Sequence, residues 1–461
     1  MTESGIQRSL NGHVPANHLL SPRRALKSFP PLTGALIDYE PASLWEQDTA
    51  TLPEALRQLR RDVRGFATQE LRPRSLAGDV DSDNAQTRQT VLRRAAEAGM
   101  LFNHIPRPLG SGSSELLDHS AQWSAALKAE ELCAACGGWG LMLSAHALGM
   151  VPLLLAGDKG ALKRFLVPAQ QQAARGEPYI FAFAITEPGA GSDVEDGPGA
   201  SQYTPRTVAR RVDEGWLLNG RKIFISGGDI ADAVTVFVAL EGEGMESWTC
   251  FLVPRGAPGF RVARTEKKMG QRASGAAELE FQDAFVPDTH VIGGLRQGWG
   301  LNRATLNASR IPVAAIALGI ARGAMEDAID FVCRFRLGGR ALIEYQEVQL
   351  AAAQMIADVS AMRATVWHYA RRRAPTQANA SLCKVSCSDA AVRVCQQALD
   401  LLGNHAVLHR NFVEKHFRDA RLTQIYEGTN QINRLAIIED LQEQFLDRMT
   451  PAKVVGTLRV P

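Results

Sequence analysis

Apolar residues recur every three or four positions in the first third of the chain. This spacing, which is typical of amphipathic helices, runs through residues 52–71, 86–101 and 116–135. The uncharged stretch 134–157 contains several glycines and Pro152, so it predicts a pair of buried helices and no membrane insertion. We therefore expect an N-terminal helical domain over residues 45–170.

The period of the pattern changes after residue 170. Seven short runs rich in β-branched and aromatic residues alternate with turn residues between positions 180 and 286, which predicts strands. Asn219-Gly220 lies between apolar flanks and predicts a hairpin turn, because both residues tolerate positive φ. Residues 171–296 are expected to form a compact β-barrel or sandwich.

Helical spacing returns near residue 298. The segment 311–335 carries small and apolar residues on most of its faces, which predicts a helix buried in a bundle over residues 297–448. Residues 1–44 are rich in proline, serine, asparagine and glycine and predict a flexible extension, and residues 449–461 predict a tail. The predicted fold class is α+β, with a helical domain, a β domain and a helical bundle in that order.

The composition of the chain bears on whether it binds nucleic acid or a metal and on the compartment in which it is found. The chain of 461 residues has 51 Lys and Arg against 49 Asp and Glu, so its net charge of +2 gives no field that would attract nucleic acid. Seven cysteines are too few for a disulfide scaffold and favour a reducing, cytoplasmic location. The Arg-rich, acid-poor N-terminus keeps a transit peptide and the mitochondrial matrix open as the second choice. His405, His409 and His416 lack the spacing of a metal site, and we predict no metal.

Two segments of the β zone could hold a ligand. Pro188, Gly189 and Gly191 make a tight loop after a strand, whose backbone N–H groups suit phosphate or flavin oxygens. A second strand ends in Phe224 and Ser226 before two glycines. Phe224 could pack against a planar ring, and Ser226 could hydrogen-bond to its edge. Each pattern alone is more typical of an ordinary turn.

A third segment places a carboxylate among apolar residues. Glu427 directly precedes Gly428 and has Ile425, Tyr426 and Ile432 nearby in sequence. Burial disfavours the charged form and raises the pKa of a carboxyl group, which suits a base working near neutral pH. A solvated loop glutamate is the alternative for this residue taken alone.

Together these segments resemble the flavin-dependent acyl-CoA dehydrogenase family. The string TEPGAGSD at 186–193 and the string YEGTNQI at 426–432 carry the resemblance, which extends from about Leu92 to Ile438. It implies FAD as cofactor, an acyl-CoA substrate, and dehydrogenation to the 2-enoyl thioester with hydride passing to flavin N5. It also implies a homodimer or homotetramer that is reoxidised by electron-transferring flavoprotein.

The resemblance carries site residues over position by position. Glu427 matches the family's catalytic base. Cofactor contacts are implied for Phe183, Ile185, Thr186, Gly191, Ser192, Phe224, Ile225, Ser226, Gln346, Thr429 and Gln431. Substrate contacts are implied for Ser192, Asn307, Ser309, Arg310 and Gly428.

The chain also departs from the family pattern. Phe335 and Gly338 stand in an element that usually reaches the FAD of a neighbouring subunit, and Asp400 and Asn404 alter a second such element. Glu439 replaces the usual arginine after the YEG motif, where it bears on CoA recognition. Two alternatives therefore stay open: a flavoprotein oxidising a carrier-bound or unusual acyl thioester, or using O₂, and a non-catalytic binding scaffold.

An insertion of about ten residues falls within 195–206, directly after the TEPGAGSD loop. It is rich in proline, glycine and serine, which is typical of surface loops. We expect it to lie in solvent, with a role at the acyl-CoA entrance as the alternative.

Overall fold

The computed structural model describes residues 43–80, 85–194 and 197–449. The predicted extension up to residue 42 and the predicted tail from residue 450 lie outside the described residues. The chain divides after Pro53, and helix α1 (Leu44–Ala50) belongs to the first unit. Ser43 caps this helix by accepting a hydrogen bond from the Glu46 N–H at 3.2 Å.

The predicted N-terminal helices are confirmed, except that residues 137–156 form one continuous buried helix where a pair was predicted. Ser120 caps one of them by accepting from the Gln122 N–H at 3.2 Å, and Gly157 ends the next with φ +63°. The helices are α2 (Glu54–Phe66, continuing in a π-helical turn at Ala67–Leu71), α3 (Ser75–Val80), α4 (Ala85–Glu97), α5 (Ala121–Ala135), α6 (Gly137–Ala156), α7 (Lys159–Ala161) and α8 (Val167–Ala174).

The middle of the chain forms an eight-stranded mixed sheet. The order of its strands is β6-β7-β3-β2-β4-β5-β8, and β1 pairs with β4 in parallel. All eight residues of β4 are buried, so this strand runs through the core. The strands are β1 (Phe181–Ala184), β2 (Val208–Val212), β3 (Gly215–Ser226), β4 (Ala233–Leu240), β5 (Thr249–Pro254), β6 (Phe260–Thr265), β7 (Ala276–Pro287) and β8 (Val291–Ile292), with helix α9 (Gly197–Gln202) between β1 and β2.

The predicted hairpin turn at Asn219-Gly220 is wrong. Strand β3 runs through both residues, and the β2–β3 hairpin turns instead at Glu214, which has φ +63°. Gly220 has φ +133° beside a β-bulge, and a Cβ there would lie 2.6 Å from Thr207 Cα. The Asn219 amide donates to Asp283 Oδ1 on β7 at 2.9 Å. The tolerance of positive φ thus serves a bulge inside a strand.

The predicted C-terminal helical bundle is confirmed. Its central member is buried along most of its 37 residues, as its small and apolar faces predict. The elements are α10 (Gly298–Arg334), a short hairpin of β9 (Arg336–Leu337) and β10 (Arg340–Ala341), α11 (Gln346–Ala370), α12 (Gln377–Leu402), α13 (Val413–Leu422) and α14 (Asn430–Met449).

Among the described residues, two helices are long and apolar enough to cross a membrane by length and composition alone: α6 in the N-terminal zone and α10 in the C-terminal bundle. Within the protein, however, 61% of the most apolar window of α6 and 78% of that of α10 are buried. Helices at the centre of a folded core pass the same composition test. The apolar character of both helices is therefore explained by their packing.

A buried cluster of charges joins the two helical zones. Glu130 and Glu131 of α5 accept hydrogen bonds from Arg60 of α2, Arg322 of α10 and Arg363 of α11 at 2.7–3.2 Å. Burial by itself opposes the charged carboxylate, but the facing arginines hold the pKa of Glu130 below its ordinary value. Losing one partner would leave a buried charge uncompensated, so the cluster fixes how these helices meet.

Helices α10 and α5 pack so closely that their backbones are almost in contact. A Cβ added at Gly319 would lie 2.4 Å from the Glu130 carbonyl oxygen, and one at Gly323 would lie 2.5 Å from the Ala134 carbonyl oxygen. Rigid backbone cannot yield at such distances as a flexible side chain can. Glycine at these positions therefore sets the spacing of the two helices.

We predict that Gly319→Ala lowers the free energy of unfolding by about 2 kcal/mol or more, because the new methyl group forces α10 away from α5. Gly300→Ala in the same helix is the matched control, since a Cβ there meets nothing within 4 Å. The control should be neutral, or up to about 1 kcal/mol more stable through helix propensity. Urea unfolding of both variants checks the prediction, and equal stabilities would contradict it.

Candidate active site

Hydrogen bonds bring the three sequence segments singled out above to one place. The Ile223 N–H of β3 donates to the Thr186 carbonyl at 2.9 Å, which ties the strand to the loop after β1. At the other end of that loop, Ser192 Oγ accepts from the Thr429 N–H at 3.0 Å. Segments more than 200 residues apart in sequence therefore meet around the loop at 186–193.

A buried ion pair anchors this loop. Glu187 and Lys222 are both almost fully buried, with 3.0 Å between Lys222 Nζ and Glu187 Oε1. Lys222 Nζ also donates to the Ile185 carbonyl at 2.8 Å. Burial alone would raise the pKa of Glu187, but the charge of Lys222 and hydrogen bonds from Tyr203 and Arg206 hold that pKa below its ordinary value. Glu187 is thus charged at neutral pH and anchors the loop.

The insertion takes part in this anchor. Tyr203 Oη donates to Glu187 Oε2 at 2.6 Å, and the Arg206 N–H donates to the same oxygen at 2.8 Å. Ala200, on helix α9, is 6% exposed. The expectation that the insertion lies idle in solvent is therefore wrong, because its last residues hold the loop that follows β1. Residues 195–196 of the insertion lie outside the described residues.

Glu427 lies in the turn between α13 and α14. It has φ +55°, a conformation that is strained for a residue with a side chain, and Gly428 follows with φ +77°. Two side chains hold the turn. Asn433 Nδ2 and Lys384 Nζ each donate a hydrogen bond to the Gly428 carbonyl oxygen at 2.8 Å. These contacts fix the direction of the Glu427 side chain.

The Glu427 carboxylate meets helix α10. Ser309 Oγ donates to Glu427 Oε2 at 2.6 Å, and Arg310 Nε lies 3.5 Å from the Glu427 carbonyl oxygen. Removal from water raises the pKa of Glu427, while the Ser309 hydrogen bond and the charges of Arg310 and Lys384 work against that rise. The net shift is upward, as the sequence predicted, and it poises the carboxyl group for proton transfer.

Phe224 offers an open aromatic face next to the loop. It is 59% exposed and has φ +59°, whereas its neighbour Ile225 is 3% exposed. Ser226 ends strand β3 and is half-buried. A planar ring could therefore pack on Phe224 beside Thr186.

A small cavity opens at the same loop. Its walls include Ile185, Thr186, Gly191, Trp248 and Asn302. Trp248 Nε1 and Asn302 Oδ1 are buried and have no hydrogen-bond partner among the described residues. Buried polar atoms without partners are costly, and a bound polar ligand satisfies them. The open face of Phe224 beside the loop suits a flavin ring, whereas the cavity itself, of about 10 Å³, has room only for a water-sized group.

Not every predicted site residue joins this cluster. The residues brought together are Ile185, Thr186, Gly191, Ser192, Phe224, Ser309, Arg310, Glu427, Gly428 and Thr429. Phe183 packs in the core with its ring centroid 5.4 Å from that of Phe237. Asn307 Nδ2 donates to the Pro375 carbonyl at 3.0 Å. Gln346 and Gln431 are exposed, and within the described parts of the chain neither donates to the loop or to Glu427.

Several residues of the site escaped the sequence analysis. Lys384 and Asn433 support the turn at Glu427, and both are fully buried. The isolated lysine among small residues of α12 is a signal that could have drawn attention to it. Trp248 and Asn302 carry no local pattern that marks them, because only packing brings them to the loop.

A separate cluster has the residue types of a metal site. Ligand atoms of Asp79, His409 and Glu414 lie within 4.8 Å of one another. Arg418 pairs with Asp79 at 2.6 Å and with Glu414 at 2.7 Å, so each carboxylate already has a cationic partner. We keep the prediction of no metal.

Comparisons with known proteins agree with the resemblance. Three family models match in order: the N-terminal domain of acyl-CoA dehydrogenase over residues 53–172, its middle domain over 182–284 and its C-terminal domain over 296–442. The mitochondrial short-chain specific acyl-CoA dehydrogenase of Bos taurus is 31% identical over 402 residues, which is 86% of this chain and 92% of that protein.

Solved structures agree as well. Butyryl-CoA dehydrogenase from Megasphaera elsdenii matches with a TM-score of 0.76 at 29% identity, over 85% of this chain and 99% of that one. A chain in a structure described as the electron transferring flavoprotein of Acidaminococcus fermentans matches with a TM-score of 0.76 at 30% identity, over 85% of this chain and 98% of that one.

Proposed function

This chain belongs to the acyl-CoA dehydrogenase family, and we propose Glu427 as the base with which it removes the α-proton of an acyl-CoA. The protein is a flavin-dependent oxidoreductase that acts on the CH–CH bond of an acyl-CoA, with FAD as its cofactor. The observation that carries the assignment of the base is the Glu427 carboxyl group, which has a raised pKa and accepts a hydrogen bond from Ser309.

The chain's own groups suit the proton transfer. A thioester α-proton is only weakly acidic, so the base must be taken out of water and aimed at it. Glu427 is aimed by its strained turn, and Ser309 holds one carboxylate oxygen, which leaves the other for the substrate. The Glu427 backbone N–H donates to none of the described residues, and we assign it as a donor to the thioester oxygen that gains charge.

FAD would rest on the loop and the aromatic face described above. Thr186, Phe224 and Ser226 would hold its ring system, since strand β3 is tied to the loop by the Ile223 N–H bond to the Thr186 carbonyl. When bound, FAD supplies the acceptor for the hydride that leaves the β-carbon. The protein's task is to hold that acceptor and Glu427 on the same thioester and to exclude water.

Two of the residues that depart from the family pattern in its FAD-related elements contact other residues of this chain. The Phe335 ring stacks on Phe331 with 5.1 Å between centroids and contacts His405 at 4.7 Å. Asp400 Oδ1 accepts from Gln396 Nε2 at 2.8 Å. The comparisons do not favour a carrier-bound substrate, an oxidase or a scaffold.

We infer electron-transferring flavoprotein as the partner that reoxidises the enzyme, and we infer a homodimer or homotetramer. The likeness to a chain of an electron transferring flavoprotein structure supports the first inference. Apolar side chains on the surface support the second, since Leu337 is 58%, Leu350 66% and Val407 75% exposed. Association would remove these side chains from water.

Light scattering on the purified holoenzyme should give the mass of two or four chains of 50.1 kDa. Leu350→Lys places a charge in the proposed contact and should shift the population toward smaller species. Glu241→Gln, an exposed change elsewhere, is the control. A monomeric mass for the unaltered protein would contradict the inference.

Glu427→Gln should lower turnover of acyl-CoA by about 10²- to 10⁴-fold, because the amide cannot take the α-proton. The flavin absorbance and the binding of acyl-CoA should persist, since glutamine has nearly the same shape. Anaerobic bleaching of the flavin by a mixed acyl-CoA pool measures the step, with Glu241→Gln as the control. Bleaching at the unaltered rate in Glu427→Gln would show that another residue is the base.

Ser309→Ala should raise the pKa of Glu427 further, because it removes a hydrogen bond that favours the charged carboxylate. The base works only when deprotonated, so the acid limb of the kcat/KM profile should move up by about one pH unit. Thr305→Val, one turn earlier in α10, removes a hydroxyl that bonds only to the Leu301 carbonyl and is the control. An unshifted acid limb in Ser309→Ala would count against Glu427 as the titrating base.

A further inference from the structure

A cavity of about 260 Å³ lies on the side of Arg310 that is close to the Glu427 turn. It lies between α10, the start of α12 and α14. Arg310 lines it, and the same side chain lies 3.5 Å from the Glu427 carbonyl oxygen. Leu306 and Ile432 are among its apolar walls. Arg310 therefore bridges the Glu427 turn and this cavity, and we take the cavity as the space into which a bound thioester extends.

The mouth of this cavity holds an internal ion pair. Arg303 Nη2 lies 3.1 Å from Glu439 Oε2, and the two side chains are 27% and 32% exposed. Gln377 bridges them, since it accepts from Arg303 at 2.7 Å and donates to Glu439 at 3.1 Å. The Arg303 guanidinium also lies 5.8 Å from the centre of the Trp299 ring. The cation at the mouth is thus already neutralised by an anion of the same chain.

This pairing decides which ligand charge the mouth favours. An anionic ligand group would be repelled by Glu439 and would have to displace that carboxylate from Arg303. A neutral, amide-bearing group is not repelled by Glu439 and can hydrogen-bond to Gln377, which lines the cavity. CoA presents both kinds of group, because its pantetheine arm is neutral and its nucleotide end carries phosphates.

We propose that Glu439 is a specificity-determining residue, which competes with the phosphates of CoA for Arg303 and so weakens the recognition of the nucleotide end. This inference rests on the proposed function for its substrate. In it, the neutral pantetheine arm and the acyl group supply the affinity, and the nucleotide end adds little. Removing the Glu439 charge turns Arg303 into an available anion site.

The test is calorimetric binding of CoA and of pantetheine to the FAD-loaded protein and to Glu439→Gln. The Kd for CoA should fall up to about 5-fold in the variant, as expected when a partly exposed ion pair is released. The Kd for pantetheine, which lacks the phosphates, should stay unchanged. Added salt should shrink the gain for CoA, because it screens the attraction to Arg303.

Three further variants sharpen the result. Glu439→Gln combined with Arg303→Gln should lose the gain for CoA, and Gln442→Glu, which adds an anion to the same cavity, should weaken CoA binding. Glu241→Gln makes the same change of net charge at a distant exposed site and should change neither Kd. Thermal melts of all variants verify that they are folded.

The inference is overturned if the Kd for CoA is the same in Glu439→Gln as in the unaltered protein, or if it falls equally for pantetheine. Because binding is measured without turnover, this outcome is separate from a failure of the proposed function. A protein that binds CoA as described but never transfers hydride from an acyl-CoA would contradict the function alone.

Discussion

The close passage of α10 over α5 governs the geometry of the site. The two helices touch through backbone because Gly319 and Gly323 have no side chains. The same 37-residue helix carries Ser309 to the Glu427 carboxylate and Arg303 to the mouth of the neighbouring cavity. A single rigid element therefore positions both the proposed base and the charge that a ligand meets on entry.

Two buried carboxyl groups show how surroundings assign different tasks to the same chemistry. Glu187 receives hydrogen bonds from Lys222, Tyr203 and backbone N–H groups, and its pKa is lowered. The Glu427 carboxylate accepts from Ser309, and burial raises its pKa. The first group is fixed in charge and supports the loop, whereas the second remains ready to exchange a proton.

The departures from the family pattern follow a common physical rule. Glu439, which stands where the family usually has an arginine, forms an ion pair with Arg303 of the same chain. The insertion likewise packs against the rest of the protein, since its Tyr203 donates a hydrogen bond to the buried Glu187. Both of these differences are therefore engaged in contacts within the folded protein.

The sequence by itself determined the order of helical, β and helical zones, because the periods of apolar residues report local geometry. It also determined Glu427 as the candidate base, through a motif that is contiguous in the chain. Only the tertiary structure decided that Asn219-Gly220 sits inside a strand and that Lys384 supports the Glu427 turn. Such contacts join residues far apart in sequence, and the burial that raises the pKa of Glu427 comes from several elements at once. Local patterns carry no record of either.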